Sequence, residues 1–150
     1  MANRYWVPGP TSGTGTYDDP DHWATSSGGV GGASAPTSAD NVFFDANSFT
    51  AASQTVTLGS SNYCLDMTWT GVTNTPTLSW GSKNLNVYGS FTLSASMNVT
   101  VTSSSFLYLF ATSTGKTITT AGKTLKYVLF GGIGGGWTLQ DSLTCYYLLQ

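Results

Sequence analysis

Glutamate is missing from this chain altogether, and charge of either sign is scarce: seven aspartates stand against four lysines and one arginine in 150 residues. Only 8 % of residues are charged, where an average soluble domain has about a quarter. Helices draw on glutamate, lysine and alanine, so their shortage argues against a helical fold. A net charge of −2 gives no basic footprint for phosphates, and nucleic acid is not expected as a partner. No window approaches the ~18 to 20 apolar residues of a membrane-spanning helix. The opening Met1–Pro8 lacks the charged lead and long apolar run of a secretory signal, so synthesis in the cytoplasm is expected. Cysteine is limited to Cys64 and Cys145 with no CxxC spacing, which excludes a disulfide framework or zinc knuckle and reads as two buried thiols.

What is abundant is serine, threonine and glycine, with β-branched and aromatic residues supplying most of the apolar content. That composition suits pleated strands joined by tight turns. Residues 1–40, dense in Gly, Pro, Asp and Trp, read as an irregular N-terminal cap. From residue 41 to 150, short alternating apolar runs recur between Gly, Ser and Asn clusters. Runs beginning at Leu65, Leu85, Phe106, Leu125 and Leu143 step by 20, 21, 19 and 18 residues, with Val42-Phe43-Phe44 as an earlier member. A second strand lies between each pair: Thr77–Trp80, Asn98–Val101, Thr117–Thr120 and Trp137–Gln140. Two strand columns at one period of about twenty residues predict an all-β fold, a β-solenoid of stacked coils. A β-sandwich, with strands at similar spacing, is the rival.

Side chains two apart on a strand share a face. In this alignment Leu65, Met67, Leu85, Val87, Phe106, Tyr108, Leu125, Tyr127, Leu143 and Cys145 point inward. The opposite face then runs from Asp66, Thr68, Asn86 and Tyr88 to Leu107, Leu109, Val128, Phe130, Tyr146 and Leu148. The last six form an apolar stripe that a monomer would have to cover, so they are the expected subunit interface. The chain stops at Leu148-Leu149-Gln150 in what reads as mid-strand, and the coils are expected to continue beyond 150.

Few residues suggest chemistry. Gly115-Lys116-Thr117 and Gly122-Lys123-Thr124 lack the upstream glycine and following helix of a phosphate loop. The runs Gly28–Gly32 and Gly131–Gly136 open no helix and read as turns. His22 is the one histidine, with no nucleophile nearby in sequence. Asp18, Asp19 and Asp21 form the one acidic cluster, a weak Ca²⁺ candidate better explained by turns around Pro20. No cofactor and no catalysis are expected. Trp6, Tyr17 and Trp23 suggest either a sugar-stacking platform or a plug for the first coil.

The opening carries a pattern: Tyr5-Trp6-Val7, Gly13-Thr14-Gly15-Thr16-Tyr17-Asp18, His22-Trp23, Gly28-Gly29-Val30-Gly31-Gly32-Ala33, Pro36, Asp40 and Val42-Phe43-Phe44-Asp45-Ala46. It resembles structural proteins of tailed phages and related metagenomic viruses, which follow it with coils like Trp137–Thr144. Tyr17 stands where that pattern has Trp, and Pro8-Gly9-Pro10 replaces a Gly pair. The resemblance implies a virion appendage or tail or surface fibre protein that associates with itself and with other virion proteins. Similar openings in bacterial surface repeats imply the alternative, a cell-surface adhesin or receptor-binding module for host glycans.

Overall fold

A computed structural model describes residues 1–150 and shows an all-β solenoid of about five turns. In chain order the strands are β1 (Asn3–Trp6), β2 (Gly15–Thr16), β3 (Trp23–Ala24), β4 (Asn41–Phe43), β5 (Thr55–Thr57), β6 (Tyr63–Cys64), β7 (Met67–Thr68) and β8 (Thr77–Ser79). They continue with β9 (Leu85–Val87), β10 (Phe91–Thr92), β11 (Asn98–Thr100), β12 (Phe106–Leu109), β13 (Lys116–Thr119), β14 (Thr124–Phe130), β15 (Trp137–Leu139) and β16 (Thr144–Leu149). The one helical element is a 3-10 turn at Pro20–His22.

The chain winds past three faces. The first sheet has the order β15-β13-β10-β7-β4-β1-β3, the second β11-β8-β5-β2 and the third β16-β14-β12-β9-β6. Every pairing is parallel except β1 with β3. Each strand is too short to stand alone, and its backbone is satisfied only by the coils above and below.

The core is a set of vertical columns. Val42, Met67, Phe91 and Ile118 stack inside the first sheet, and Val56 and Leu78 inside the second. In the third, Leu85, Leu107 and Val128 form one column, and Cys64, Val87 and Leu109 another. All of these residues are fully buried. Arg4 sits over Val42 at the start of its column and donates to the Ser34 carbonyl and hydroxyl.

Three expectations are corrected. There are three strand columns, not two: β8 and β11 belong to the second sheet, whereas β13 and β15 belong to the first. Val42–Phe44 lies over Met67–Trp69 in the first sheet and has no place in the column of Leu85. The facing of the third sheet is also shifted by one residue, because Leu107 pairs with Leu85 and Val128 while Phe106 pairs with Tyr127. Phe106, Tyr108 and Tyr127 therefore lie on the outer surface, half-buried, and Leu107, Leu109 and Val128 are core. A slip of one residue exchanges the two faces of a strand, and Phe106-Leu107-Tyr108-Leu109-Phe110 is apolar on both, so alternation could not set its parity. Within residues 1–40, β1 and β2 pair in parallel with β4 and β5.

Candidate functional site

The N-terminal aromatics form a plug. Trp6, Tyr17 and Trp23 are fully buried. Trp6 stacks on His22 at 4.5 Å and meets Trp23 edge-on at 5.1 Å, and Trp23 meets Tyr17 at 5.2 Å. Their polar atoms are used internally: Trp6 Nε1 donates to the Gly13 carbonyl at 3.1 Å, Trp23 Nε1 to that of Tyr17 at 2.6 Å, and the Tyr17 hydroxyl to that of Tyr63 at 2.9 Å. Burial, with Cys64 close by, pushes the Tyr17 hydroxyl pKa well above its ordinary value, and burial likewise raises that of the Cys64 thiol. No ring face is offered to a sugar. The platform reading of Trp6, Tyr17 and Trp23 is thereby withdrawn, and their packing role stands.

The carboxylates are dispersed as turn clamps and as staples between coils. Asp18 accepts from the Ser60 backbone and hydroxyl at 2.8 and 2.7 Å, Asp40 from the Ala2 backbone at 3.0 Å, Asp66 from that of Ser90 at 2.6 Å and Asp141 from those of Thr120 and Ala121 at 2.9 and 2.6 Å. Asp19 caps the 3-10 turn by accepting from the Asp21 amide. These bonds depress three of the acids: the Ser60 hydroxyl that of Asp18, and the Thr120 amide that of Asp141. For Asp40 desolvation pushes upward, but the bonds from Thr37 and Ala2 outweigh it. Asp18 and Asp19 thus hold separate partners, and no group of three or more His, Cys, Asp or Glu side chains lies close enough to share a metal ion.

The open features gather on the third face and at its C-terminal end. Outward rings stack along β12, Phe106 to Tyr108 at 5.4 Å and Tyr108 to Phe110 at 5.3 Å. They also stack up the coils, Phe106 to Tyr127 at 4.5 Å and Tyr127 to Tyr147 at 4.9 Å, with planes within 15° of parallel. Rings stacked this way cover one another's faces. Sequence reasoning missed this ladder by turning Phe106, Tyr108 and Tyr127 inward. The available signal was the alternation of bulky rings with leucines, since the narrow part of the solenoid has room inside for leucine and not for consecutive rings.

Above the ladder lies β16, paired with β14 on one edge only. Of the six residues expected at an interface, Leu107, Leu109 and Val128 are buried core, and Phe130 lies over Leu109, packed against the core and half-buried. Leu148 continues the column of Leu107 and Val128 but is half exposed because nothing stacks above it. Tyr146 is exposed on the outer side, under the Lys126 ammonium 3.8 Å from its ring centre. Phe130, Trp137, Leu139, Leu143 and Leu148 line an open recess of about 500 Å³ at this end. The arrangement leaves apolar side chains of β16 and one edge of that strand uncovered. Comparison with protein-family models, curated proteins and solved structures finds no match to this chain.

Proposed function

We propose that this chain is a structural protein forming part of an external virion appendage or fibre, and that it works by assembly with itself and other virion proteins. The observation that carries this reading is the architecture itself: short parallel strands stacked into a solenoid of about five turns, with an outward ladder of stacked rings along its third face. Supporting it are the phage-like opening motif, the scarcity of charge, and the use of aspartates as staples between coils.

The test is immunogold electron microscopy of the source culture with an antibody against this chain. Label on virus-like particles or detached fibres is the expected result. Label confined to cell envelopes overturns the virion reading in favour of a surface adhesin.

A further inference from the structure

A short turn joins the second sheet to the third in three successive coils, between β5 and β6, β8 and β9, and β11 and β12. The polar side chains of these corners are spent differently. At residues 102–105 the hydroxyls are consumed within the chain: Thr102 and Ser105 both donate to the Gly81 carbonyl, and the Ser105 hydroxyl also accepts from the Thr102 amide. The corners of the two preceding coils instead enclose a hollow of about 290 Å³, lined by Ser60, Tyr63, Ser82, Lys83, Asn84 and Asn86.

Buried Asn62 braces this hollow. Its side chain accepts from the Gly59 amide at 2.8 Å and donates to the carbonyls of Gly59 and Asn84 at 3.1 and 3.0 Å. Its own carbonyl accepts from the backbone and side chain of Asn86 at 2.9 and 3.2 Å. The bonds also fix what the rim offers. Asn84 Oδ1 accepts from the Phe106 amide at 3.3 Å, which leaves Nδ2 as a free donor, and Asn86 spends Nδ2 on Asn62, which leaves Oδ1 as a free acceptor. Tyr63 is the register partner of Asn86, so their outward side chains stand about 4.8 Å apart. Its ring is 39 % exposed and, unlike those of the ladder, stacks on no other. Lys123 is held to the Ala95 carbonyl and Lys126 over Tyr146, whereas Lys83 keeps its ammonium free at the hollow. The Asp18 carboxylate is taken up by the Ser60 amide and hydroxyl and so is spent within the rim.

We propose that this hollow binds one ring of a saccharide that carries a carboxylate. A sugar hydroxyl both donates and accepts, so it needs a wall that does both. Asn84 Nδ2, Asn86 Oδ1 and the hydroxyls of Ser82 and Tyr63 provide one. The Tyr63 ring supplies an apolar surface for the C–H face of the sugar, and the Lys83 ammonium a partner for its carboxylate. A phosphate only accepts, and it would leave Asn86 Oδ1 unpaired against an anion. The volume lies at the small end of ligand sites, about 300 Å³, which suits a single ring with the rest of a glycan in solvent.

This site goes beyond the assembly reading, which does not depend on it and stands if the site fails. The experiment follows backbone amide shifts of the isotope-labelled chain by nuclear magnetic resonance. The probes are glucuronic acid, sialyllactose, lactose and inorganic phosphate, each at about 10 mM, where a millimolar site is nearly saturated. The first two separate a uronate from a sialoside. The expected result is that one or both shift Tyr63 and residues 82–86, with lactose bound about fivefold more weakly or less. Tyr63→Ala should weaken binding of the acidic sugar about fivefold or more, and Lys83→Gln should bring it down to the affinity of lactose, both with unchanged circular dichroism spectra. No shift at these residues from either acidic sugar overturns the proposal. So does lactose bound equally well, or phosphate bound as tightly as the sugars, which would mark simple attraction of anions to Lys83.

Discussion

Leu107→Ala, compared with Phe106→Ala one residue away, tests the facing of the third sheet where the sequence is most ambiguous. Leu107 is fully buried in a column between Leu85 and Val128. Truncation removes three carbons, Cγ and its two methyl groups, from a close-packed site flanked above and below by other coils, which restricts collapse of the void. Such changes cost 2 to 5 kcal/mol, and about 3 kcal/mol is expected here. Phe106 is half-buried outside the sheet, with Tyr127 at 4.5 Å and Tyr108 at 5.4 Å as its ring partners. Losing it should cost about 1 to 1.5 kcal/mol, the stacking with these rings and part of the area they cover. In a protein of this size the difference corresponds to some 3 to 8 °C in melting temperature. Urea titrations followed by far-ultraviolet circular dichroism and tryptophan fluorescence measure both variants against the wild type. If Phe106→Ala costs more than Leu107→Ala, the register is wrong by one residue, and with it the assignment of core and surface along the third sheet.

Acid should destabilise the fold. Asp18, Asp40 and Asp141 have folded pKa values below the ordinary one, so the stability they give is complete above about pH 4 and is lost as pH falls through those lower values. A melting temperature that stays flat between pH 5 and pH 2 would refute the staple role. Thiol titration of the native protein should modify Cys145 and spare Cys64, which is fully buried and has a raised pKa, whereas denaturant should release both; two fast thiols in the native state contradict the core assignment. Gly132→Ala would place its Cβ against the Ala111 carbonyl oxygen, a backbone atom that cannot swing away, so a loss of about 1 to 3 kcal/mol is expected on thermal melting. An unchanged melting temperature would show that the glycine-rich corner is looser than drawn.

The solenoid itself was legible because its signals are periodic. Short apolar runs about twenty residues apart leave few ways to satisfy so many brief strands except by stacking coils. The division into three faces was not legible, since β7 and β10 are two residues each and leave almost no alternation to detect. Leu65–Trp69 was aligned with Leu85 for that reason: the run crosses a corner and contributes Met67 to the first sheet, while the true neighbour of Val87 is Cys64. Among the candidate interface residues, Tyr146 and Leu148 lie exposed on β16. Leu107, Leu109 and Val128 were misplaced because parity inside an all-apolar strand is decided by the register of adjacent coils, which local sequence does not carry. The aspartate staples were equally hidden, since each links residues in different coils, Asp18 to Ser60 and Asp66 to Ser90.

The position of the aromatic residues supplies a reason for the polarity of the molecule. In the early coils the rings are inside: Trp6, Trp23, Phe44, Trp69, Trp80 and Phe91 are all fully buried or nearly so. In the later coils the interior is Leu107, Leu109, Ile118, Leu125 and Val128, and the rings have moved to the outer ladder. The change follows the cross-section, because the second sheet ends at β11 and the chain thereafter passes from β13 to β14 through a short turn at Thr120–Lys123, enclosing less space. A wide coil needs large side chains to fill it, whereas a narrow one is filled by aliphatic residues. Exchanging the aromatics of the early coils for aliphatic residues should therefore leave those coils underfilled and lower the melting temperature, and an unchanged melting temperature would refute this account of the core.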